Sequence, residues 1–351
     1  MTASPLADQH SSEGAVLAEY DGCILPQRFS TLEREYRAAR ETVALFDTNW
    51  HAILHLTGRD RIQYLHAISS QDIKSLPQGQ GTLALLLNPQ GRILAELEVY
   101  ALPESLLVLS HRFLREQTIA TLKKYVIASQ VRIEDRTEKM GSCAVEGPRA
   151  AAVVEHVCGQ GLADLGDRTI HNMSVGGIPC QLLRRSYFGE SGAEFLATRD
   201  ALPGLWQTLL AAVRAQGGES AGMDAFHALR IEHGVPWFPA DFNDAMIPHE
   251  AALEDTHISF NKGCYTGQEI VERVRSRGHV NRKRVLLRFS TFEPPPPGTK
   301  LLAAGAEVGF VTSAAFSPKE NTAIGMGYLR REYLAPGSIV QFDGGTAEVT
   351  L

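Results

Sequence analysis

The sequence predicts an α+β protein in which two repeated α/β units form one domain and a small all-β barrel follows. Three observations predict it. A strand, a glycine and a helix occur twice in that order, as L-H-L-T-G-R-D-R-I at 54–62 and as S-C-A-V-E-G-P-R-A at 142–150. Between two apolar runs lies Asn88-Pro89-Gln90-Gly91, with Pro at the second and Gly at the fourth position of a type I turn. Beyond the stiff run Pro294 to Pro297, short β-type segments alternate with Gly and Pro.

Taken in order, residues 1–29 mix Ser, Ala, Asp and Gly without periodicity and read as an N-terminal tail or edge segment. Ser30 and Glu33 have N-terminal helix spacing, with Leu32, Tyr36, Ala39 and Val43 on one face, and the chain leaves that helix through Ala44 to Asp47. A strand over 51–56 and a helix through Ile62, Leu65 and Ile68 follow. The hairpin strands are 83–87 and 92–100, the second with Ile93, Ala95, Leu97 and Val99 on one face and Leu94, Glu96, Glu98 and Tyr100 on the other. A strand over 106–109, a helix over 113–125 and a strand over 131–134 complete the first unit, 30–140. The second, 141–283, adds strands over 180–184 and 194–197, a helix over 202–215 stopped by Gly217-Gly218, and a helix from Ala225 ended by Gly234 and Pro236. The barrel is expected over 284–351, with strands at 307–315, 323–329 and 338–342.

Of the 351 residues 44% are hydrophobic and 21% charged, with a formal charge of -6, ordinary for a soluble globular chain and unsuited to general nucleic-acid binding. Five cysteines, none in a C-x-x-C pair, argue against a disulfide framework and a Cys-rich metal site and for a reducing compartment. No signal-like or membrane-length apolar run is visible, so a cytoplasmic monomer without membrane contact is expected.

The segment 260–283 concentrates the chemistry. Thr266 and Glu269 have capping-box spacing, so a helix is expected from Gly267, with Ile270 and Val274 on one face and Gly278 at its end. Cys264 then precedes a helix N-terminus, where unpaired amides and Lys262 favour a thiolate. Lys262, Arg273, Arg275, Arg277, Arg282 and Lys283 against Glu269 and Glu272 give a local charge of about +4, which points to an anionic partner. Cys264 has three readings: a redox-active or cluster-handling thiol, a covalent nucleophile served by His249, His257 or His279, or a packed residue shaping the loop. His249 and Glu250 alone are too few ligands for a metal.

The run Lys262-Gly263-Cys264-Tyr265-Thr266-Gly267-Gln268-Glu269, with Arg273 after it, resembles the signature of the YgfZ/Iba57 family of folate-binding proteins, relatives of the glycine-cleavage T-protein. Leu229-Arg230-Ile231-Glu232-His233-Gly234-Val235-Pro236, Ile247-Pro248-His249-Glu250-Ala251-Ala252-Leu253, and Gly309 to Ser313 with Ser317-Pro318 resemble further motifs of that superfamily. The resemblance implies a folate-binding domain and tetrahydrofolate or a derivative as cofactor. It also implies work in iron-sulfur cluster assembly or repair with client or assembly proteins as partners, and an influence on tRNA modification. It carries pterin contact to Glu232, with Arg230 beside it, and functional weight to Cys264. A pterin also needs a flat wall, for which Trp50 and Trp237 are candidates beside their ordinary role as core residues. The alternative is an aminomethyltransferase or other one-carbon transferase. T-proteins carry an aspartate pair after the hairpin turn, where this chain has Ala95 and Glu96.

Overall fold

The computed structural model describes residues 2–126, 129–189 and 191–350. The chain divides into two compact units. One comprises Met1–His66, Ile73–Leu83 and Leu97–Phe226, the other Ala67–Asp72, Ala84–Glu96 and His227–Leu351. This division differs from the expected boundaries at 140 and 283. The second unit takes in two short pieces from the first third of the chain, including the turn of the hairpin.

The first unit is built on a six-stranded sheet in the order Thr169–Val175, Ile178–Arg184, Gly192–Thr198, Met140–Glu146, Ala44–Asp47 and Glu219–Ala221. Ala44–Asp47, expected only as the exit from a helix, is a strand flanked by Met140–Glu146 and Glu219–Ala221, and all four of its residues are buried. The preceding helix is Leu32–Glu41, and its N-cap is Thr31 rather than Ser30, the Thr31 hydroxyl accepting from Arg34 N–H at 3.4 Å. Helix Leu202–Ala215 buries Leu202, Leu205, Trp206, Leu209, Leu210 and Val213, the three-and-four spacing of an amphipathic helix. These side chains join Val43, Leu45, Val145, Val153 and Phe195 in one core. A second sheet places Ser105–His111 beside His51–Thr57, with Arg132–Asp135 on the far side of the latter.

The segment expected as a tail, 1–29, is folded. Val16–Tyr20 and Thr2–Ala3 flank Cys23–Arg28 in a three-stranded sheet. Leu6, Cys23 and Leu25 are fully buried. What anchors it is polar: Asp47 accepts from the Ser4 hydroxyl at 2.5 Å and pairs with His10 Nε2 at 2.8 Å, all three buried. Periodicity cannot reveal a segment held by such long-range polar contacts.

In the second unit the hairpin turn is as expected, with Gly91 N–H donating to Asn88 O at 2.9 Å. The barrel is closed and six-stranded: Arg282–Phe289, Thr322–Arg330, Ala306–Ser317, Lys300–Ala303, Ile339–Phe342 and Gly345–Val349, the last pairing back with the first. Closure leaves no open edge, and Val285, Leu287, Phe289, Leu301, Val311, Val340 and Ala347 fill its interior. Among the described residues no helix is long and apolar enough to cross a membrane.

One buried acid of the first unit makes stability depend on pH. Burial raises the Glu146 carboxyl to about 8, partly offset by Ser186 Oγ and Tyr187 N–H donating at 2.7 and 3.0 Å. Folding therefore takes up a proton between the ordinary 4.5 and about 8, and stability falls as pH rises through that window. Replacing Glu146 with Gln is expected to flatten this slope. Urea unfolding should show the variant about 1–3 kcal/mol more stable than the parent at pH 8.5, with the gap closing near pH 4.5. Parallel pH curves for the two proteins would show that the carboxyl is already ionised in the fold.

Candidate functional site

The segment around Cys264 is shaped by its neighbours in the second unit. The helix is Gln268–Arg277, and its N-cap is Gly267 at φ +83°, with no side-chain capping bond. The expected capping box is therefore absent, and Glu269 instead pairs with Arg273 at 2.6 Å. A Cβ on Gly267 would stand 2.6 Å from Asn88 O, and one on Gly91 would stand 3.0 Å from the Ile270 side chain. Both glycines are thus required where the hairpin turn meets the helix start, and that contact overrides local capping. Gly278 ends the helix as expected, in the left-handed conformation with its N–H on Val274 O.

Lys262 is buried and points its ammonium at the carbonyls of Ser69 and Gln71, at 2.5 and 3.2 Å, and over the Tyr265 ring at 4.9 Å. Burial lowers it to about 8, against the pull of Asp72. It is a clamp between the segment 67–72 and the cysteine loop. The other cations are largely matched: Arg275 with Glu272 at 3.7 Å, Arg282 with Glu250 at 3.1 Å and Lys283 with Glu254 at 3.0 Å. The side chain of Arg277 lies outside the described residues. Glu269 and Glu272 are already counted in the expected charge of about +4, so Glu250 and Glu254 offset about half of it.

Cys264 is exposed, whereas Cys23, Cys143 and Cys180 are buried and Cys158 is half-buried. Burial pushes the Cys23 and Cys180 thiols up to about 12 and Cys158 to about 11, and Cys264 is the most open of the five to a reagent or partner. His257 is held elsewhere: Nε2 lies 3.0 Å from Glu96 Oε1 and Nδ1 2.7 Å from Thr256 Oγ1. That same contact defines the environment of Glu96, a carboxylate held by a buried histidine. Ala95, at the other position of the pair, is a core residue.

Glu232 ends the helix Met223–Glu232, where the Ser317 hydroxyl donates to it. It lines a cavity of about 220 Å³ whose apolar wall includes Ile231, Leu286, Leu287 and Ile324. Arg230 does not share that cavity's wall. It is buried, and its guanidinium donates to Asp241 at 2.7 Å, Ser313 at 2.9 Å and His227 Nδ1 at 2.8 Å. Trp237 is buried near it, 5.8 Å from the guanidinium and edge-on to His227. Trp50 belongs to the first unit and packs edge-on against Phe226 and Tyr187 at 4.9 and 5.6 Å. Both tryptophans are core residues here.

The first unit holds a charged cluster that sequence reasoning missed. Glu98 accepts from Arg185 at 2.6 Å, Arg168 at 3.0 Å and the Tyr100 hydroxyl at 2.6 Å. Glu194, fully buried, accepts from Thr48 at 2.8 Å, Tyr187 at 3.0 Å and Arg185 at 3.2 Å, and His51 lies 3.4 Å away. Burial would raise the Glu98 carboxyl, but the two arginines hold it below the usual range. Buried ionisable clusters mark functional sites as well as structural ones. A signal was present in R-R-S-Y-F-G-E-S-G-A-E at 184–194, a mixture of charge, aromatic and glycine unlike a plain core strand.

Residues 6–262 match the family described as the GCVT N-terminal domain, and residues 282–350 the glycine cleavage T-protein C-terminal barrel domain. A protein named aminomethyltransferase from Desulfitobacterium hafniense is 25% identical over 335 residues, covering 95% of this chain and 91% of the relative. One of the same name from Moorella thermoacetica is 27% identical over 352 residues, covering 99% and 93%. The crystal structure of glycine cleavage system aminomethyltransferase T from Bartonella henselae superposes with a TM-score of 0.90 at 24% identity, covering 99% of this chain and 96% of that one. With both expected parts of the fold so matched, the chain belongs to the GCVT family, its N-terminal domain followed by the T-protein barrel.

Proposed function

We propose that the protein binds a tetrahydrofolate-type cofactor and acts, as YgfZ-type proteins do, in iron-sulfur cluster assembly or repair, with Cys264 as its working thiol. The observation that carries this reading is the contrast among the cysteines: Cys23, Cys143 and Cys180 are buried and Cys158 half-buried, with burial raising all four thiols, while Cys264 is exposed on a loop clamped by Lys262. Such a thiol can be offered to a partner protein or to a cluster as cargo without the fold having to open.

The residues fit a folate. Its pterin needs a carboxylate that accepts paired N–H donors and an apolar wall, and Glu232 with Ile231, Leu286 and Ile324 supplies both at one cavity. When bound, tetrahydrofolate would supply nitrogens able to carry a one-carbon unit. Glu232 would orient the ring, while Arg230, committed to Asp241 and Ser313, would hold the helix end that carries Glu232.

The second reading, an aminomethyltransferase, draws on relatives of that name that align with nearly the whole chain, and it has at least equal support from them. Against it stand Ala95, which carries no acid, and Glu96, whose carboxylate is taken up by His257. Iron-sulfur work and one-carbon transfer therefore have to be separated by experiment.

Calorimetric titration with tetrahydrofolate should show saturable binding, and Glu232→Gln should weaken it by about 1–3 kcal/mol, the usual effect of mispairing a buried polar group. Absence of binding up to millimolar folate would remove the folate reading. Cys264→Ser is expected to leave folding and folate affinity intact, since the side chain is exposed, yet to abolish rescue of iron-sulfur enzyme activity in cells lacking the endogenous homologue. Full rescue by the serine variant would show that the thiol is not needed and leave the function to the folate cavity alone. With aminomethylated carrier protein and tetrahydrofolate, ammonia should be released no faster than in buffer, and robust turnover would establish the transferase instead.

A further inference from the structure

A second cavity of the same unit, about 430 Å³, lies between the helix Gln268–Arg277 and the segment that follows the strand Thr322–Arg330. Its volume falls within the range of ordinary small-molecule sites. His249 lines it, nine-tenths buried, and neither of its ring nitrogens has a hydrogen-bond partner. Glu254 lines it too: Oε1 pairs with Lys283 at 3.0 Å, while Oε2 is buried and without a partner. Two polar groups left unsatisfied at one cavity are costly unless something fills their needs.

The rest of the wall narrows the chemistry. Phe260, Val274 and Leu334 are apolar, and the Arg275 guanidinium lies 4.1 Å over the Phe260 ring. Arg331 adds a second cation. A neutral imidazole offers one donor and one acceptor, and burial lowers the His249 pKa, so that form prevails at pH 7. The cavity wall thus holds an unsatisfied carboxylate oxygen that wants a donor, the Arg331 guanidinium, that of Arg275, which lies 3.7 Å from Glu272, and an apolar floor. Among the described residues no group of three His, Cys, Asp or Glu is placed to hold a metal ion. A simple anion would leave Glu254 Oε2 facing like charge.

We propose that this cavity binds a free α-amino acid with an apolar side chain. Its ammonium meets Glu254 Oε2 and a His249 nitrogen, its carboxylate meets Arg275 and Arg331, and its side chain lies on Phe260, Val274 and Leu334. The site is separate from the Glu232 cavity and does not depend on folate binding.

The full chain is titrated in a calorimeter with L-leucine, with 4-methylpentanoate, which lacks the ammonium, and with 3-methylbutylamine, which lacks the carboxylate. Leucine is expected to saturate with a Kd below about 1 mM, and each analogue to bind at least about tenfold more weakly, the effect of losing one charge-assisted contact. Glu254→Gln and Arg331→Ala should each weaken leucine binding by about tenfold or more. Arg331 is exposed, so its replacement reports on binding and not on folding, and thermal melting of both variants checks that they fold. No saturable heat with leucine up to about 10 mM would show that water alone satisfies His249 and Glu254. Equal binding of leucine and 4-methylpentanoate would overturn the proposal in favour of a plain anion site. Unchanged affinity in both variants would overturn it by placing the ligand elsewhere.

Discussion

The second unit depends on one buried carboxylate. Asp241 accepts from Arg230 at 2.7 Å, from the Thr312 hydroxyl at 2.5 Å and from Trp237 N–H at 2.8 Å, and its own carbonyl accepts from the Tyr328 hydroxyl at 2.9 Å. One residue thereby joins the helix that ends in Glu232, the loop after it and two strands of the barrel. A buried ion pair is not intrinsically a strong stabiliser, but losing one partner strands the other at a cost of about 3–5 kcal/mol. The pair therefore acts through specificity. It ties the Glu232 helix to the barrel strand that carries Thr312, and the Ser317 hydroxyl on the same strand donates to the Glu232 carboxylate itself.

Scaffold and chemistry separate clearly in this chain. The two family matches, over residues 6–262 and 282–350, cover the scaffold. Function has to be argued from particular sites on such a scaffold, here the exposed Cys264, the buried Lys262 and the pair Glu96–His257.

Local signals served the elements whose partners are local. Helix Leu202–Ala215 was legible to the residue because its apolar spacing is uninterrupted and Gly217-Gly218 follows it. The hairpin was legible because Asn88 to Gly91 holds its own turn bond. What could not be read was set by distant contacts. Thr266 and Glu269 form a sound capping box on paper, but Asn88 O takes the space where anything but glycine would stand, so Gly267 becomes the cap. Glu98 and Arg185 are 87 positions apart, and nothing in either neighbourhood announces the other. Within the candidate site, the motifs drew attention to Glu232, Arg230 and Cys264 and residue type to Trp50 and Trp237, but the burial of Arg230 and both tryptophans and the partners of Arg230 are set by distant contacts that no motif shows.

The discontinuity of the second unit bears on how the chain is made. During synthesis nearly all of the first unit is available once residue 226 has emerged, whereas 67–72 and 84–96 must wait for partners that lie beyond residue 227. Those partners include Lys262, whose ammonium needs the carbonyls of Ser69 and Gln71, and Gly267, whose seat is Asn88. The loop bearing Cys264 is consequently among the last parts to assemble on the ribosome, after long-range closures that are slow by nature. Through that interval the strand containing Ala84 to Leu87 has its hairpin partner Ile93–Ala101 at hand but still lacks the close approach of Gly267 at Asn88.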